Sequence, residues 1–429
     1  MSRHPNRDCS ASIFCGGSFS IQMFPHLNTP RATGNRPRVI YCLQPVLTRV
    51  HASRLNLFRS IGMMIGAIVG VGVFGLPYVF AQAGFPSALL WLIVMGGLLT
   101  VLQLMQAEVA IQTGGHHRLP GYVREYLGKG WSRLALVAMA LGVWGAMLAY
   151  MIVGGRFLFL LVSPQGDGPE ALYALIIAIV ASAFIYRGLR FAARLEVVVV
   201  GALLFLFLFI IAASLPHLEP SALVSTTIGD FFLPYGVILF SLAGIGIVPE
   251  IRDVLGRRAR LDLGRVVVIG MVIIVALYAL FSAAVVGVTG TATTPIAFDG
   301  LIPVLGDVFR VVATALGALT ILSIYLMLGI ELLNTLKFDF RLRHGLSWAL
   351  VTLVPVAAYL LGARAFIEVI GFVGAVFAGA LGILVALTYA NMLRSGVCKT
   401  HHCLRFPSLF TWILILLFAA GMVAELFAL

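Results

Sequence analysis

The sequence predicts an all-α membrane protein with about eleven transmembrane helices, arranged as a five-plus-five inverted repeat in which helices 1 and 6 are broken. Three observations predict this class. First, 61% of the 429 residues are hydrophobic and only 11% are charged, whereas soluble domains have roughly 45–50% and roughly 25%. Second, the apolar runs are long enough to cross a ~30 Å hydrocarbon core. Third, two of these runs carry glycine and proline at mid-span. This composition excludes a soluble enzyme, a disordered chain and a nucleic-acid-binding domain.

The predicted spans are continuous apolar runs with glycine and proline inside them, a pattern typical of membrane helices. They divide residues 56–429 into a first repeat (58–215), a second repeat (230–393) and an additional helix. Residues 1–55, rich in Arg, Pro and Ser, are predicted to form a disordered cytoplasmic tail, unless translation starts later, at Met23 for example. The approximate spans are 58–83, 87–112, 133–161, 170–186, 195–215, 230–255, 263–289, 305–336, 344–361, 364–393 and 406–427.

Lysine and arginine predict the orientation of these spans. With the N-terminus in the cytoplasm, all but three of the 29 basic residues fall in cytoplasmic segments, as the positive-inside rule requires. We therefore expect a multi-pass protein of the cell (inner or plasma) membrane, embedded in the lipid bilayer. The three exceptions are Arg156, Arg310 and Arg364. The cysteines would all lie on the reducing side and remain thiols; they are Cys9, Cys15, Cys42, Cys398 and Cys403.

Spans one and six are interrupted at corresponding places. Span one has three glycines at 70–75, followed by Pro77, and span six is interrupted at 241–246 before Pro249. Glycine weakens a helix by about 1 kcal/mol and proline by about 3 kcal/mol, and backbone freed inside a membrane must line a polar cavity or bind a ligand. Five spans separate the breaks, so the second unit runs in the opposite direction, which indicates an inverted-repeat transporter. Taken alone, the glycines of span one could instead serve close helix packing.

Four segments resemble the amino acid/auxin permease family of the amino acid-polyamine-organocation superfamily, in particular its bacterial aromatic and hydroxy amino acid permeases. They are GVGVFGLPYVFAQAGF (70–85), LPGYVREYLG (119–128), LAYMIVGG (148–155) and FSLAGIGIVPEI (240–251). The likeness begins near residue 55 and continues to the end of the chain. The resemblance implies a leucine-transporter-like fold and ion-coupled symport of an amino acid by alternating access.

The predicted substrate site is the backbone of the two breaks together with a few side chains. A half-helix beginning near Gly75 presents its positive end to a carboxylate, and carbonyls near Ser241 suit an ammonium group. The resemblance places a third-helix residue, Tyr150 here, beside the carboxylate, although a packing role is an open alternative. No charged residue lies near the breaks, which favours a neutral, large or aromatic amino acid. The site residues are Gly70, Val71, Gly72, Val73, Phe74, Gly75, Tyr150, Phe240, Ser241, Ala243 and Gly244.

Four residues are candidates for ion coupling: Glu108, Thr320, Ser323 and Glu331. Sodium-coupled relatives hold their ion between the first break and span eight, where Thr320 and Ser323 share a helix face. The adjacent hydroxyl is missing because Leu322 takes that place. The permeases that the chain resembles are driven by protons, and an intramembrane acid suggests a functional role, so proton coupling is favoured over sodium coupling. In the alternative, the hydroxyls bond to their own helix and the acids pair with arginines.

Two other classes of membrane protein compete with a transporter. A membrane-embedded enzyme would need a catalytic constellation within the spans, and the sequence has no HExxH or similar pattern there. A channel would need a filter sequence, and none is evident. Residues 398–403, with two cysteines flanking adjacent histidines, lack the second pair of ligands of a zinc site. We predict no cofactor, no metal and no nucleic-acid partner, and the sequence leaves the oligomeric state open.

Overall fold

The computed structural model describes residues 46–115, 117–163, 168–187, 192–224, 231–244, 246–397 and 403–428. Residues 49–429 form one compact unit, and every regular element in the described ranges is helical. Short segments of another helix type interrupt two α-helices, a 3-10 turn at Val71–Gly75 and a π-helical turn at Val373–Ala378. The helices are α1 (Val46–Ile68), α2 (Leu76–Ala83), α3 (Phe85–Gln112), α4 (Leu119–Leu127), α5 (Lys129–Val162), α6 (Glu170–Arg187), α7 (Ala192–Ser214), α8 (Leu233–Leu242), α9 (Ile247–Leu255), α10 (Ala259–Thr289), α11 (Ala297–Phe338), α12 (His344–Leu360), α13 (Phe366–Phe372), α14 (Gly379–Arg394) and α15 (Ser408–Ala428).

These helices occupy the predicted spans. Among the described residues, eight helices are long and apolar enough to cross a membrane, and the bent pair Asn56–Ile68 and Val71–Ala83 makes a ninth. Two shorter apolar helices, Gly201–His217 and His344–Leu360, fall in predicted spans five and nine. The all-helical, multi-span architecture is therefore confirmed.

Some helix boundaries differ from the prediction. Helix α1 begins at Val46, inside the predicted disordered tail, because no glycine or proline follows Pro45 until Gly62; residues 1–45 lie outside the described residues. Helix α11 begins at Ala297, eight residues before predicted span eight, and kinks at Gly306, where a φ of 80° needs glycine. Helix α4 lies between predicted spans two and three.

The thiol prediction is wrong for one cysteine, because Cys403 is disulfide-bonded. That prediction rested on the chemistry of the compartment and carried no information on distances between sulfur atoms. The other four cysteines lie outside the described residues.

Residues predicted to lie on the outer side meet at one end of the bundle. The Arg156 Nε, near the end of α5, donates to Asp299 Oδ1 and Oδ2 at the start of α11, both at 3.1 Å. The other arm of Arg156 donates to Glu170 Oε2 at the start of α6, at 3.0 Å. These partly exposed pairs contribute little to stability. They do show that the ends of three helices lie on one side, as the predicted alternation of spans requires.

Helix α8 packs backbone to backbone on α13 and the π-helical turn. A Cβ added to Gly236 would overlap the Gly371 carbonyl oxygen, and a Cβ added to Gly374 would overlap the Gly236 carbonyl oxygen. The Gly374 Cβ would also lie 2.7 Å from the backbone nitrogen of Phe240, at the end of α8. Because backbone atoms cannot rotate away, this contact fixes the distance between α8 and the tenth predicted span.

We expect Gly374→Ala to lower the free energy of unfolding by about 1–3 kcal/mol, because the methyl group forces α8 away from the π-helical turn. The measurement is thermal unfolding of the purified protein in detergent. Gly97→Ala, on α3, is the matched control, because a Cβ there meets open space. It should be neutral or stabilising by up to about 1 kcal/mol through helix propensity. Equal melting temperatures of the two variants would contradict the backbone contact.

Candidate functional site

The first break follows Ile68, the last residue of α1. Gly70 is extended (φ −136°, ψ −152°), and the chain then forms the 3-10 turn before α2 begins at Leu76. Pro77 lies in the first turn of α2, as expected for a residue without an N–H to satisfy. The two halves are bent by 55°. The predicted interruption of span one, with Pro77 starting a second half-helix, is therefore confirmed.

The second break begins two residues later than predicted. Helix α8 continues to Leu242, Ala243 is extended (φ −69°, ψ 114°), and α9 begins at Ile247. Ser241, predicted to lie in the break, is in the last turn of α8. Its hydroxyl donates to the Val237 carbonyl at 2.7 Å. The hydroxyl is thus satisfied within the helix, and the interruption falls on Ala243 and the glycines after it.

The two breaks lie side by side. A Cβ on Gly72 would overlap the Ser241 hydroxyl and lie 2.9 Å from the Phe240 ring, and a Cβ on Gly244 would overlap the Ile68 side chain. The predicted adjacency of the broken helices is confirmed. Neither glycine has a positive φ, so glycine is needed at both positions because the chains approach closely.

Two tyrosine hydroxyls satisfy backbone groups at the breaks. The Val71 N–H donates to the Tyr150 hydroxyl oxygen at 3.1 Å. The Tyr278 hydroxyl of α10 donates to the Ser241 carbonyl at 2.9 Å and lies 3.3 Å from the Ile68 carbonyl. Tyr278 therefore bridges the C-terminal ends of the first halves of both broken helices. Both tyrosines are buried.

Tyr150 was predicted from the sequence, whereas Tyr278 was not. Tyr278 is the sole polar side chain in the run VIIVALYALF at 272–281, and nothing near it suggests a site. One signal was available: a buried tyrosine hydroxyl usually finds a hydrogen-bond partner. In a span without other polar groups, that partner has to be unsatisfied backbone, which the breaks provide.

The other predicted substrate residues divide into two groups. Val71, Gly72, Val73, Phe74 and Gly75 are buried, whereas Gly70, Phe240 and Ala243 keep partial exposure. Ser241 and Gly244 are also buried.

Phe74 does not present its ring to an open subsite. It packs against Phe157 and Phe298 with ring centroids at 5.2 Å, and against Phe207 at 5.8 Å. Phe157 and Phe298 also stack on each other at 4.5 Å. This phenylalanine cluster attaches the 3-10 turn of the first break to α5, α7 and α11. Phe74 thus positions the break. Phe240 is the partly exposed aromatic side chain at the place where the two breaks meet, which is called the gap below.

The four residues predicted to couple ions are not joined to one another by hydrogen bonds in the described structure. The Thr320 hydroxyl donates to the Leu316 carbonyl on its own helix at 2.8 Å, and Ser323 is buried one turn further along α11. Glu108 is buried on α3 and accepts a hydrogen bond from Gln112 at 2.8 Å. Among the described residues its hydrogen-bond partner is therefore an amide and not an arginine. Glu331, on α11, is exposed.

In the described part of the chain, no group of three or more His, Cys, Asp or Glu side chains is placed to hold a metal ion. The histidine pair at 401–402 lies outside the described residues.

We expect Tyr278→Phe to lower the free energy of unfolding by about 1–3 kcal/mol, because it leaves two buried carbonyls without their donor. The measurement is thermal unfolding in detergent. Tyr325→Phe is the control: the Tyr325 hydroxyl is buried and has no hydrogen-bond partner in the described part of the chain, so its removal should be neutral or stabilising. The bridging role fails if both variants unfold at the wild-type temperature.

The fold is shared with a solved structure, MhsT in complex with L-phenylalanine, which covers 88% of this chain and 98% of its own. The TM-score is 0.61 at 14% sequence identity, a level that establishes the leucine-transporter fold alone.

Three relatives are transport proteins. The inner membrane transport protein YbaT of Escherichia coli is 27% identical over 53% of this chain, which spans about half (50%) of that relative's length. Glutamine transporter 2 of Aliivibrio fischeri is 22% identical over 81% of this chain and 92% of its own. The tyrosine-specific transport system 1 of Haemophilus influenzae is 23% identical over 74% of this chain and 83% of its own. They support the predicted transporter class over the enzyme alternative.

Residues 54–424 match one family along almost the whole described chain. This match begins where the predicted resemblance begins, near residue 55. It does not test membership in the wider amino acid/auxin permease family, which stays a prediction. The chain belongs to the Tryptophan/tyrosine permease family.

Proposed function

We propose that the chain is a secondary active permease that moves neutral, aromatic amino acids across the inner or plasma membrane by alternating access, with inward proton movement as the coupled step. The observation that carries the proposal is the pair of broken helices, side by side and held by Tyr150 and Tyr278. Backbone groups inside a membrane are left outside regular helix only where they are buried in protein, line a cavity or bind a ligand, and broken helices of an inverted repeat mark the substrate site.

The two poles of an amino acid match groups at the gap. The Val71 N–H at the start of the 3-10 turn and the Tyr150 hydroxyl are both donors available to a carboxylate, once Tyr150 shares the N–H that it now accepts. Carbonyls at the end of α8, near Ala243, suit an ammonium group. The helix dipoles reinforce both choices, because the positive end of one half-helix and the negative end of another face the gap. We assign the substrate backbone to these groups.

The substrate side chain is assigned to the partly exposed Phe240 ring beside Gly72. The residues assigned to the site are uncharged, so a charged substrate side chain would be buried without a partner. An aromatic substrate would gain about 0.5–1.5 kcal/mol from ring contact beyond its burial. The family description and the tyrosine-specific relative support an aromatic substrate. The relative named as a glutamine transporter makes glutamine the neutral substrate to compare.

We assign proton coupling to one of the two acidic side chains within the predicted spans. A sodium ion needs several oxygen ligands, and α11 supplies Thr320 and Ser323 with Leu322 in the adjacent place. A proton needs one titratable group, and Glu108 and Glu331 are the candidates. Glu108 is the stronger of the two, because it is buried and accepts a hydrogen bond from a neutral amide, an arrangement that either protonation state can keep.

In proteoliposomes, radiolabelled tyrosine should accumulate under an imposed inward pH gradient and should not need sodium. An inward sodium gradient at equal pH is the second arm. Unlabelled tryptophan and phenylalanine should compete, while lysine and glutamate should not. Accumulation that requires sodium would overturn proton coupling and restore Thr320 and Ser323 as ion ligands. Preferential competition by glutamine would replace the aromatic assignment.

We expect Tyr150→Phe to weaken substrate affinity by about 1–2 kcal/mol, because the carboxylate loses one donor. Gly72→Leu should abolish uptake while the protein still inserts, since its side chain would overlap Ser241 and Phe240. The measurements are equilibrium binding of radiolabelled substrate to purified protein for Tyr150→Phe and uptake into proteoliposomes for Gly72→Leu. Tyr325→Phe again serves as the control. Unchanged affinity in Tyr150→Phe would leave that tyrosine a packing role only.

A further inference from the structure

Helix α3 carries two buried glutamines whose side chains make no hydrogen bonds with the described residues. Gln103 and Gln106 are 1% and 2% exposed, and being three residues apart they share a helix face. Neither the amide nitrogen nor the amide oxygen of either side chain has a partner among the described residues. Buried polar side-chain atoms are paired in the large majority of cases, and an exception calls for an explanation. Packing does not explain these two, because an apolar residue would fill the same space at lower free energy.

The two amides extend from the second break towards α4. A Cβ on Gly244 would lie 3.6 Å from the Gln103 Nε2. Gln106 lines a narrow cavity between α3, α4 and α14, together with Tyr122. The Tyr122 hydroxyl lies beside Arg252 and makes no hydrogen bond of normal geometry with the described residues. The cavity's other polar side chain, Thr388, donates to its own helix at 2.6 Å. We call Gln103, Gln106 and Tyr122 the polar seam.

The Gln106 end of the polar seam is too narrow for water in this conformation. The cavity has no room for a water molecule, and its remaining lining residues, Val109, Leu119 and Val385, are apolar. Unpaired amides without water raise the free energy of this conformation. Any conformation that admits water to the seam removes that cost, because water supplies donors and acceptors to both amides.

One arginine closes the end of the seam that is predicted to face the cytoplasm. Arg252, on α9 beyond the second break, donates to the Gly115 carbonyl at 2.6 Å and to the Thr113 carbonyl at 3.3 Å. It thereby caps the C-terminal end of α3, where a cation is favoured by the helix dipole. Burial raises the pKa of the Tyr122 phenol, and the Arg252 guanidinium nearby offsets part of that rise. The same arginine therefore lies beside the polar seam and fastens α9 to α3.

We propose that the polar seam takes up water when Arg252 leaves the Thr113 and Gly115 carbonyls, and that this hydration stabilises a second conformation of the protein. The seam groups are neutral and offer both donors and acceptors, which suits water and not an ion. Movement of α9 begins at Gly246, the last residue of the second break, so opening the seam changes the geometry of the substrate gap. The proposal extends the alternating access of the proposed function and does not depend on which amino acid is carried.

Thiol accessibility tests the opening of the seam directly. Gln106→Cys and Leu102→Cys, on the same helix and both buried, are exposed in membrane vesicles to a membrane-impermeant thiol reagent added from the predicted cytoplasmic side. Labelled residues are identified by mass spectrometry, so the native cysteines stay in place. Gln106→Cys should react about tenfold faster than Leu102→Cys, because a buried position reacts only through an opening. Arg252→Gln should raise the rate at Gln106→Cys further.

Equal labelling of the two cysteine variants, or a rate at Gln106→Cys that ignores Arg252→Gln, would overturn the proposal. Neither result bears on the substrate, since no transport is measured. If the wild-type protein did not take up tyrosine, the proposed function would be wrong. The thiol-labelling rates would still test the opening of the polar seam.

A second test compares the melting temperature of a variant with its transport rate. Gln106→Met keeps the shape of the side chain and removes the unpaired amide, so the melting temperature should rise by about 2–4 °C. The transport rate should fall, because water no longer stabilises the second conformation through this amide. Gln112→Met is the control; it removes an amide that is bonded to Glu108 and should not raise the melting temperature. A fall in melting temperature for Gln106→Met, or an unchanged transport rate, would show that the amide has an ordinary structural role.

Discussion

Backbone N–H and C=O groups left outside a helix in the middle of a membrane must find partners, and the structure around both breaks follows from this constraint. Glycine and proline make the breaks inexpensive to form, but they supply no hydrogen bonds. Tyr150 accepts from the N–H side of the first break, and Tyr278 donates to the carbonyl side of both breaks. A tyrosine suits this task because its hydroxyl both accepts and donates, and its ring packs in an apolar bundle. The site stays uncharged as a result, which suits a zwitterion that brings its own two charges.

The same constraint separates the features that the sequence predicts from those it does not. Spans and breaks are local properties of composition, so hydropathy and clustered glycines were sufficient to predict them. Adjacency of the breaks followed from the inverted repeat. The partner of a freed carbonyl is set by tertiary packing, and no local pattern marks Tyr278 among apolar neighbours on α10. Ser241 lies in the last turn of α8, where its hydroxyl donates to the Val237 carbonyl. Helix propensity alone does not predict on which side of the helix end this serine lies.

Phe74 shows a second limit of sequence reasoning. The motif places it in the break, and its position suggested contact with the substrate. The rotation of a single 3-10 turn decides which residues face the gap, and here that turn directs Phe74 into the phenylalanine cluster with Phe157 and Phe298. Phe240, on the facing helix, keeps partial exposure beside Gly72. A predicted span is still correct when its bounds are wrong by one or two residues. The predicted direction of a side chain is not, because each residue rotates the direction along the helix.

A transporter also needs two conformations of similar free energy. A conformation in which every buried polar group is hydrogen-bonded would be favoured too strongly over the other. At the breaks the two tyrosines bond to the Val71 N–H and to the Ser241 and Ile68 carbonyls. The close Gly236–Gly374 contact holds α8 to the tenth span. The other half of the sixth span, α9, is held differently, by Arg252 on the exposed end of α3. Charged groups near water exchange partners at little cost, whereas backbone contacts in the bundle do not. Motion is therefore expected on the α9 side of the second break, where the unpaired amides of Gln103 and Gln106 lie, with α8 remaining in place.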